Sequence, residues 1–252
     1  MNFLDQLNRS IFIPSIPKRI ISLVPSQTEL LVDLGLEDRI VGVTKFCVHP
    51  KGLRKGKTII GGTKNYRFDL IDELDPYLII GNKEENDQEG IEILMKKYPV
   101  WMSDIYTLAD SLGMILRLGE IFKVEEKTKS ITDRIQSDFL EKPIRKGSAV
   151  YLIWNNPIMA AGSRTFINEM LFWAGFENLT KENRYPEISR EELKQLNPDY
   201  LLLSSEPFPF KAKHLEEFEE LLPNTKIKLV DGELFSWYGS RLLRSKQYFE
   251  SL

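Results

Sequence analysis

The chain of 252 residues has a single cysteine, Cys47, and only two histidines, His49 and His214. One thiol excludes an intramolecular disulfide framework. Two histidines exclude a three-histidine site for a free metal ion, and a structural zinc site needs four ligands. No apolar run approaches the roughly 20 residues that span a bilayer, so no membrane insertion is expected. Positive charge is not in excess either. The formal net charge is −3, which leaves no polyanion-binding footprint and argues against nucleic acid. Gly61-Gly62-Thr63-Lys64 looks like the end of a phosphate-binding loop but lacks the first glycine at the required spacing. An export signal is missing as well: Asp5 and Arg9 precede only Ile11-Phe12-Ile13 before Pro14 and Pro17 interrupt. Read this way the protein is cytoplasmic, or periplasmic if the sequence is a mature form.

What is present is a globular composition, 42% hydrophobic and 28% charged, long enough for one large domain or two lobes. After a lead-in over residues 1–17, continuous apolar strands alternate with helices. RIISLV (19–24) is followed by a helix that Ser26 and Glu29 would open as a capping box and Gly35 would end. Strands near 40–44, 58–60, 77–80 and 100–101 alternate with helices over 69–74, 88–97 and 108–122. This is the grammar of a parallel α/β sheet. It resumes at 148–154, with helices over 165–175, 189–196, 213–222 and 241–249 and strands at 200–204 and 227–230. Ser189 and Glu192 form a second capping box.

Between the halves lies EEKTKSITDRIQSDFLE (125–141), free of Gly and Pro. Its apolar positions Ile131, Ile135 and Phe139 make a stripe too narrow for a helix buried in one core. At ~1.5 Å per residue it would span roughly 25 Å, which suits a strut between lobes. Two echoes support a duplicated plan. Leu74-Asp75-Pro76-Tyr77-Leu78 is matched by Leu196-Asn197-Pro198-Asp199-Tyr200, each an Asx-Pro turn before a strand. Ser26-x-Thr28 before Gly35 is matched by Ser163-x-Thr165 before Gly175. The expected fold is α/β, with an N-terminal lobe (1–106), a helical connection (107–143) and a C-terminal lobe (144–252).

ISLVPSQTELLVDLG with IVGVT resembles the opening of the helical-backbone periplasmic binding proteins of ABC importers, in particular their cobalamin-binding branch. The resemblance continues through IIGGTKNYRFDLIDELDPYLII, AAGSRTFINEMLFWAGFENL and EISREELKQLNPDYLLLSSE. It implies two Rossmann-like lobes joined by one long backbone helix, with the ligand in the cleft between them. It also implies a monomeric binding protein rather than an enzyme. Its ligand would be a metal chelate or tetrapyrrole such as cobalamin, haem or a ferric siderophore, with no resident cofactor and an ABC permease as partner.

Ligands of open parallel sheets sit beyond the carboxyl ends of the strands. That rule selects Pro25, Ser26 and Gln27, the loop containing Phe46 and His49, and Lys64 with Asn65. From the second half it selects Trp154, Arg164, and Trp237, Tyr238 and Arg241 in the loop DGELFSWYGSR. A flat amphiphilic ligand needs aromatic faces and a few donors. The resemblance puts Phe46, His49 and Trp237 at or near such positions. Cys47 and His49 form a Cys-x-His that is either a two-point contact to the metal of an incoming complex or a buried thiol beside a hydrogen-bonding loop histidine. Glu84 or Glu85 and Glu206 follow the two repeated strands, and the resemblance implies docking to permease arginines there. Two alternatives stay open: a cytoplasmic carrier or sensor of a corrinoid or metal complex, and an enzyme using Cys47 and His49.

Overall fold

A computed structural model describes all residues, 1–252. The chain divides into two compact units. The first comprises residues 1–105, 109–135 and 238–241; the second comprises 106–108, 136–237 and 242–252. Most of the helical stretch therefore counts with the first unit, as does a four-residue segment from near the C-terminus.

The lead-in is structured. β1 (Asn2–Leu4) and β2 (Ser10–Phe12) pair antiparallel. Asp5 holds their turn, accepting from the backbone N–H groups of Leu7 and Arg9 and pairing with the Arg9 guanidinium. β3 (Ile20–Ser22), α1 (Pro25–Asp33), β4 (Ile40–Val43), β5 (Thr58–Ile59), α2 (Phe68–Leu74), β6 (Leu78–Asn82), α3 (Gln88–Met95) and β7 (Val100–Ser103) follow. The sheet is parallel in the order β5-β4-β3-β6-β7. β3 and β6 are buried at every position, as expected of central strands covered on both faces.

The capping box expected at Ser26 and Glu29 does not form. Val24 is the N-cap, without a side-chain bond, and Pro25 supplies the first helical residue. Proline lacks the N–H that a cap would satisfy and comes with its φ already helical. Ser26 thus lies inside the first turn, and the Glu29 carboxylate has another partner, Arg241.

α4 (Leu108–Phe122) and α5 (Glu125–Asp138) are separated by Lys123 at φ 58°. The strut helix ends at Asp138, three residues short of Glu141. Its buried face is carried by Thr128, Thr132 and Ile135, with Phe139 buried just past its end and Ile131 only half-buried. Both threonine hydroxyls donate back to carbonyls three residues earlier, which lets a polar side chain line a packed face.

The second unit holds β8 (Gly147–Asn155), β9 (Ile158–Ala160), α6 (Phe166–Trp173), β10 (Phe176–Asn178), α7 (Arg190–Leu196), β11 (Tyr200–Ser204), α8 (Ala212–Leu221), β12 (Lys226–Val230), α9 (Glu233–Ser236) and α10 (Leu242–Ser251). The order β10-β8-β11-β12 is parallel, with β9 folded back antiparallel on β8. The core gathers Val150, Leu152, Leu193, Leu201, Leu203 and Phe218.

The Asx-Pro echo is real in three dimensions. Asp75 and Asn197 both cap their helices in the left-handed region at φ 41°, which Asn and Asp adopt more readily than other non-glycine residues. The Ser-x-Thr echo is not. Thr165 is the N-cap of α6 and accepts from the Asn168 N–H, whereas Thr28 lies within α1 and donates to the Val24 carbonyl.

Candidate functional site

In the first unit, the turn after β3 is closed rather than open. Pro25, Ser26 and Gln27 are buried, and the Gln27 amide donates to Ser103 Oγ at 2.6 Å and to the Gly81 carbonyl at 3.3 Å. The loop after β4 is pinned from beneath by Cys47. Its thiol is fully buried against Thr28 Oγ1 (3.1 Å) and Thr44 Oγ1 (3.3 Å), and burial pushes its pKa up. The sulfur that the Cys-x-His pattern would offer to a ligand is thus turned into the unit's interior, away from the loop surface. No group of three or more His, Cys, Asp or Glu side chains converges anywhere in the chain to hold a metal ion. The same anchoring turns the neighbouring ring outward: Phe46 is 49% exposed, with the Lys45 ammonium 5.0 Å from its centroid. His49 is half-buried in the same loop.

After β5, Gly61 sits at φ 115°, where a Cβ would meet the Asn65 carbonyl oxygen at 2.1 Å. Only glycine fits so close an approach, and the tight turn it permits leaves Lys64 and Asn65 exposed. Beside them a cavity of about 260 Å³ is lined by Lys64, Asn65, Tyr66, Phe68, Asp87 and Glu89, among others. The Tyr66 hydroxyl donates to the Thr63 carbonyl at 2.6 Å, and burial pushes its pKa up to about 12.

After β6, Asn82 Oδ1 accepts from the N–H groups of Glu84 and Glu85, an Asx turn that sets both glutamates at the strand end. Glu85 Oε1 accepts from the Tyr238 hydroxyl at 2.8 Å. Arg241 makes a buried two-point pair with Glu29, at 2.8 and 2.7 Å. Tyr238 and Arg241 were expected to offer a ring face and a cation to a ligand. Both are buried, 5% and 6% exposed, and are used inside the unit.

In the second unit, Trp154 at the end of β8 is 39% exposed. Its indole N–H donates to the Asn156 carbonyl, and its ring meets Phe208 edge-on at 5.6 Å. Arg164, at φ 55° just before the α6 N-cap, is exposed with its guanidinium 6.0 Å from the Tyr106 ring. The backbone beneath is locked, Gly162 and Ser163 donating to the carbonyls of Arg184 and Glu182 at 2.7 Å each. Trp237 is buried, its indole N–H donating to Glu206 Oε1 at 3.0 Å, and Ser236 Oγ donates to the same oxygen at 2.7 Å. Glu206, expected on an open loop, is half-buried. Burial, reinforced by nearby Glu233 and Asp231, pushes its pKa up. His214 is an interior cap, accepting from the Lys211 N–H at 2.8 Å.

Each unit thus offers an exposed aromatic face at the carboxyl end of a parallel strand, Phe46 in one and Trp154 in the other. Phe208 was not anticipated; the only hint is the run Glu206-Pro-Phe-Pro-Phe after the second repeated strand.

Residues 20–224 match a family described as periplasmic binding protein. An ABC transporter substrate-binding lipoprotein of Bacillus subtilis, YvrC, is 25% identical over 95% of this chain and 81% of its own length. A vitamin B12-binding protein of Pectobacterium carotovorum is 22% identical over 92% of this chain and 87% of its own. The periplasmic haem-binding protein RhuT of Roseiflexus, in apo form, superposes with a TM-score of 0.77 at 18% identity, covering 93% of this chain and 98% of that one.

Proposed function

We propose that this chain, which belongs to the periplasmic binding protein family, captures a metal chelate or tetrapyrrole and delivers it to an ABC permease. The observation that carries this reading is the pair of exposed aromatic faces, Phe46 and Trp154, on loops at the carboxyl ends of parallel strands. Aromatic area with few polar groups is what a large, flat, amphiphilic ligand requires. The names of the relatives, vitamin B12-binding and haem-binding, fall in the same chemical class. Lys64, Asn65, Arg164 and His49 are the polar side chains proposed to complete recognition. The protein acts by binding without turnover, consistent with a Cys47 thiol shut in the core.

For permease docking we propose Glu84 and Glu85, which stand on the turn after β6. Glu206, half-buried and held through Oε1 by Ser236 and Trp237, is the less accessible partner for such a contact. The site of action is proposed to lie outside the cytoplasm. Two relatives support this by name, one a substrate-binding lipoprotein and the other a periplasmic protein. Fractionation of cells expressing the native gene tests this, and protein confined to the cytosol would refute it.

Binding is tested by titrating the purified chain with cyanocobalamin, haem and a ferric siderophore while following tryptophan emission. Saturable quenching by one of them, lost in Trp154→Ala, is the expected result. Absence of saturable binding by all three defeats the reading.

A further inference from the structure

Resting on the receptor reading above, we propose that the ligand is an anionic chelate, one with aromatic faces and carboxylate or other negative groups at its rim. In that case Lys45 and Lys64 determine specificity beside Phe46.

Residues 39–68 contain eight lysines and arginines and not one aspartate or glutamate. The whole chain has a formal charge of −3, so this stretch is strongly polarised against the rest. It contains both loops that follow β4 and β5 at the carboxyl end of the first sheet. Within it two cations stand at one exposed ring, Lys45 over Phe46 and Arg54 on the Lys45 carbonyl. The Lys45 ammonium stands 5.0 Å from the exposed Phe46 centroid, a cation–π geometry. Arg54 donates to the Lys45 carbonyl at 2.7 Å, fixing the platform and adding charge beside it. The Lys45 N–H donates to the Gly61 carbonyl at 2.8 Å, tying the two loops together. A Cβ on Gly62 would lie 3.4 Å from Phe46 Cε2 and 3.7 Å from Lys45 Cε, so the second loop runs directly along the ring. Two residues on, Lys64 is exposed. Carboxylates do stand near this end: Glu84 and Glu85 on the turn after β6, where Glu85 accepts from Tyr238, and Asp87 and Glu89 in the cavity that Lys64 lines. The Lys45 ammonium over Phe46, by contrast, has no carboxylate within salt-bridge distance.

A neutral chelate rimmed by carboxamides gains hydrogen bonds in which only the lysine is ionised. An anionic one adds the coulombic attraction of opposite charges to each such bond. The second unit repeats the combination on its own: Arg164 is exposed with its guanidinium 6.0 Å from the Tyr106 ring.

The test uses matched pairs on the full chain: iron protoporphyrin IX against its dimethyl ester, and a trianionic ferric tris-catecholate against a neutral ferric tris-hydroxamate, with cyanocobalamin as a further uncharged-rim probe. The anionic member of the better-binding pair is expected to bind about tenfold more tightly than its neutral partner. Added salt should narrow that gap, and the double variant Lys45→Gln, Lys64→Gln should narrow it further while melting like the parent. If neutral members or cyanocobalamin bind as tightly as the anionic ones, or the gap survives the double variant, the charge assignment is overturned while the receptor reading stands. Saturable binding by none of the five defeats both.

Discussion

Among single residues, the Glu29–Arg241 pair has most at stake. Both side chains are nearly enclosed, with 8% and 6% of their surface exposed, and two hydrogen bonds join them. Removing one partner of a buried pair leaves a charge without compensation, at a cost of about 3–5 kcal/mol. Arg241→Met is therefore expected to lower the urea midpoint strongly, and Glu29→Leu with Arg241→Met to lose much less than the sum of the two singles. Additive losses would show the pair to be independent. Glu206 makes a prediction in pH. An unfolded glutamate ionises near about 4.3, while burial makes the folded chain hold this proton to higher pH. Its contribution to stability is full below the unfolded value and is lost as pH rises through the folded one. Glu206→Gln keeps an acceptor for Ser236 and Trp237 but cannot ionise, so its stability relative to the parent should climb as pH rises from the unfolded value through the folded one. A flat difference in urea melts across that window would contradict the assignment. These residues also mark where sequence reading fails. Trp237, Tyr238 and Arg241 look like a ligand loop because their partners lie 31, 153 and 212 positions away, and no local pattern encodes such pairing.

At the scale of elements, local grammar was legible wherever the deciding interaction is local. The Ser189 capping box forms as written, Ser189 and Glu192 satisfying each other's backbone, and the Asx-Pro turns at Asp75 and Asn197 set the starts of β6 and β11. Ser189→Ala should cost about 1 kcal/mol, read from chemical denaturation, whereas no loss would mean that the cap is replaced by water. The β1–β2 hairpin, β9 and β10 escaped notice because three-residue strands carry too few positions to show a period, whereas β3, equally short, lies inside the continuous apolar run 19–24. Helix packing adds a sharper test. A Cβ on Gly119 of α4 would meet Thr128 Oγ1 of α5 at 2.2 Å. Gly119→Ala is expected to destabilise by about 1–3 kcal/mol through overpacking, and adding Thr128→Ala should recover much of that. A double variant as unstable as the sum of the singles would show that the loss has another origin.

For the molecule as a whole, the alternation of apolar strands and helices made the α/β class readable, and the quoted segments made the family readable. The membership of the two units was not readable, because 238–241 joins residues 1–105 and 109–135 only in space. A chain cut after Asp138 lacks the guanidinium that neutralises Glu29. It is expected to lose the cooperative urea transition of the full protein, and a transition of unchanged midpoint would contradict this. The same feature has a consequence on the ribosome. Glu29 emerges early, yet its counter-ion is translated 212 residues later. At roughly 5–20 residues per second, the first unit waits about ten to forty seconds for its last component. Its final closure is thus scheduled by translation of the C-terminal segment, and a nascent chain stalled before residue 241 exposes a half-built first unit to chaperones and proteases.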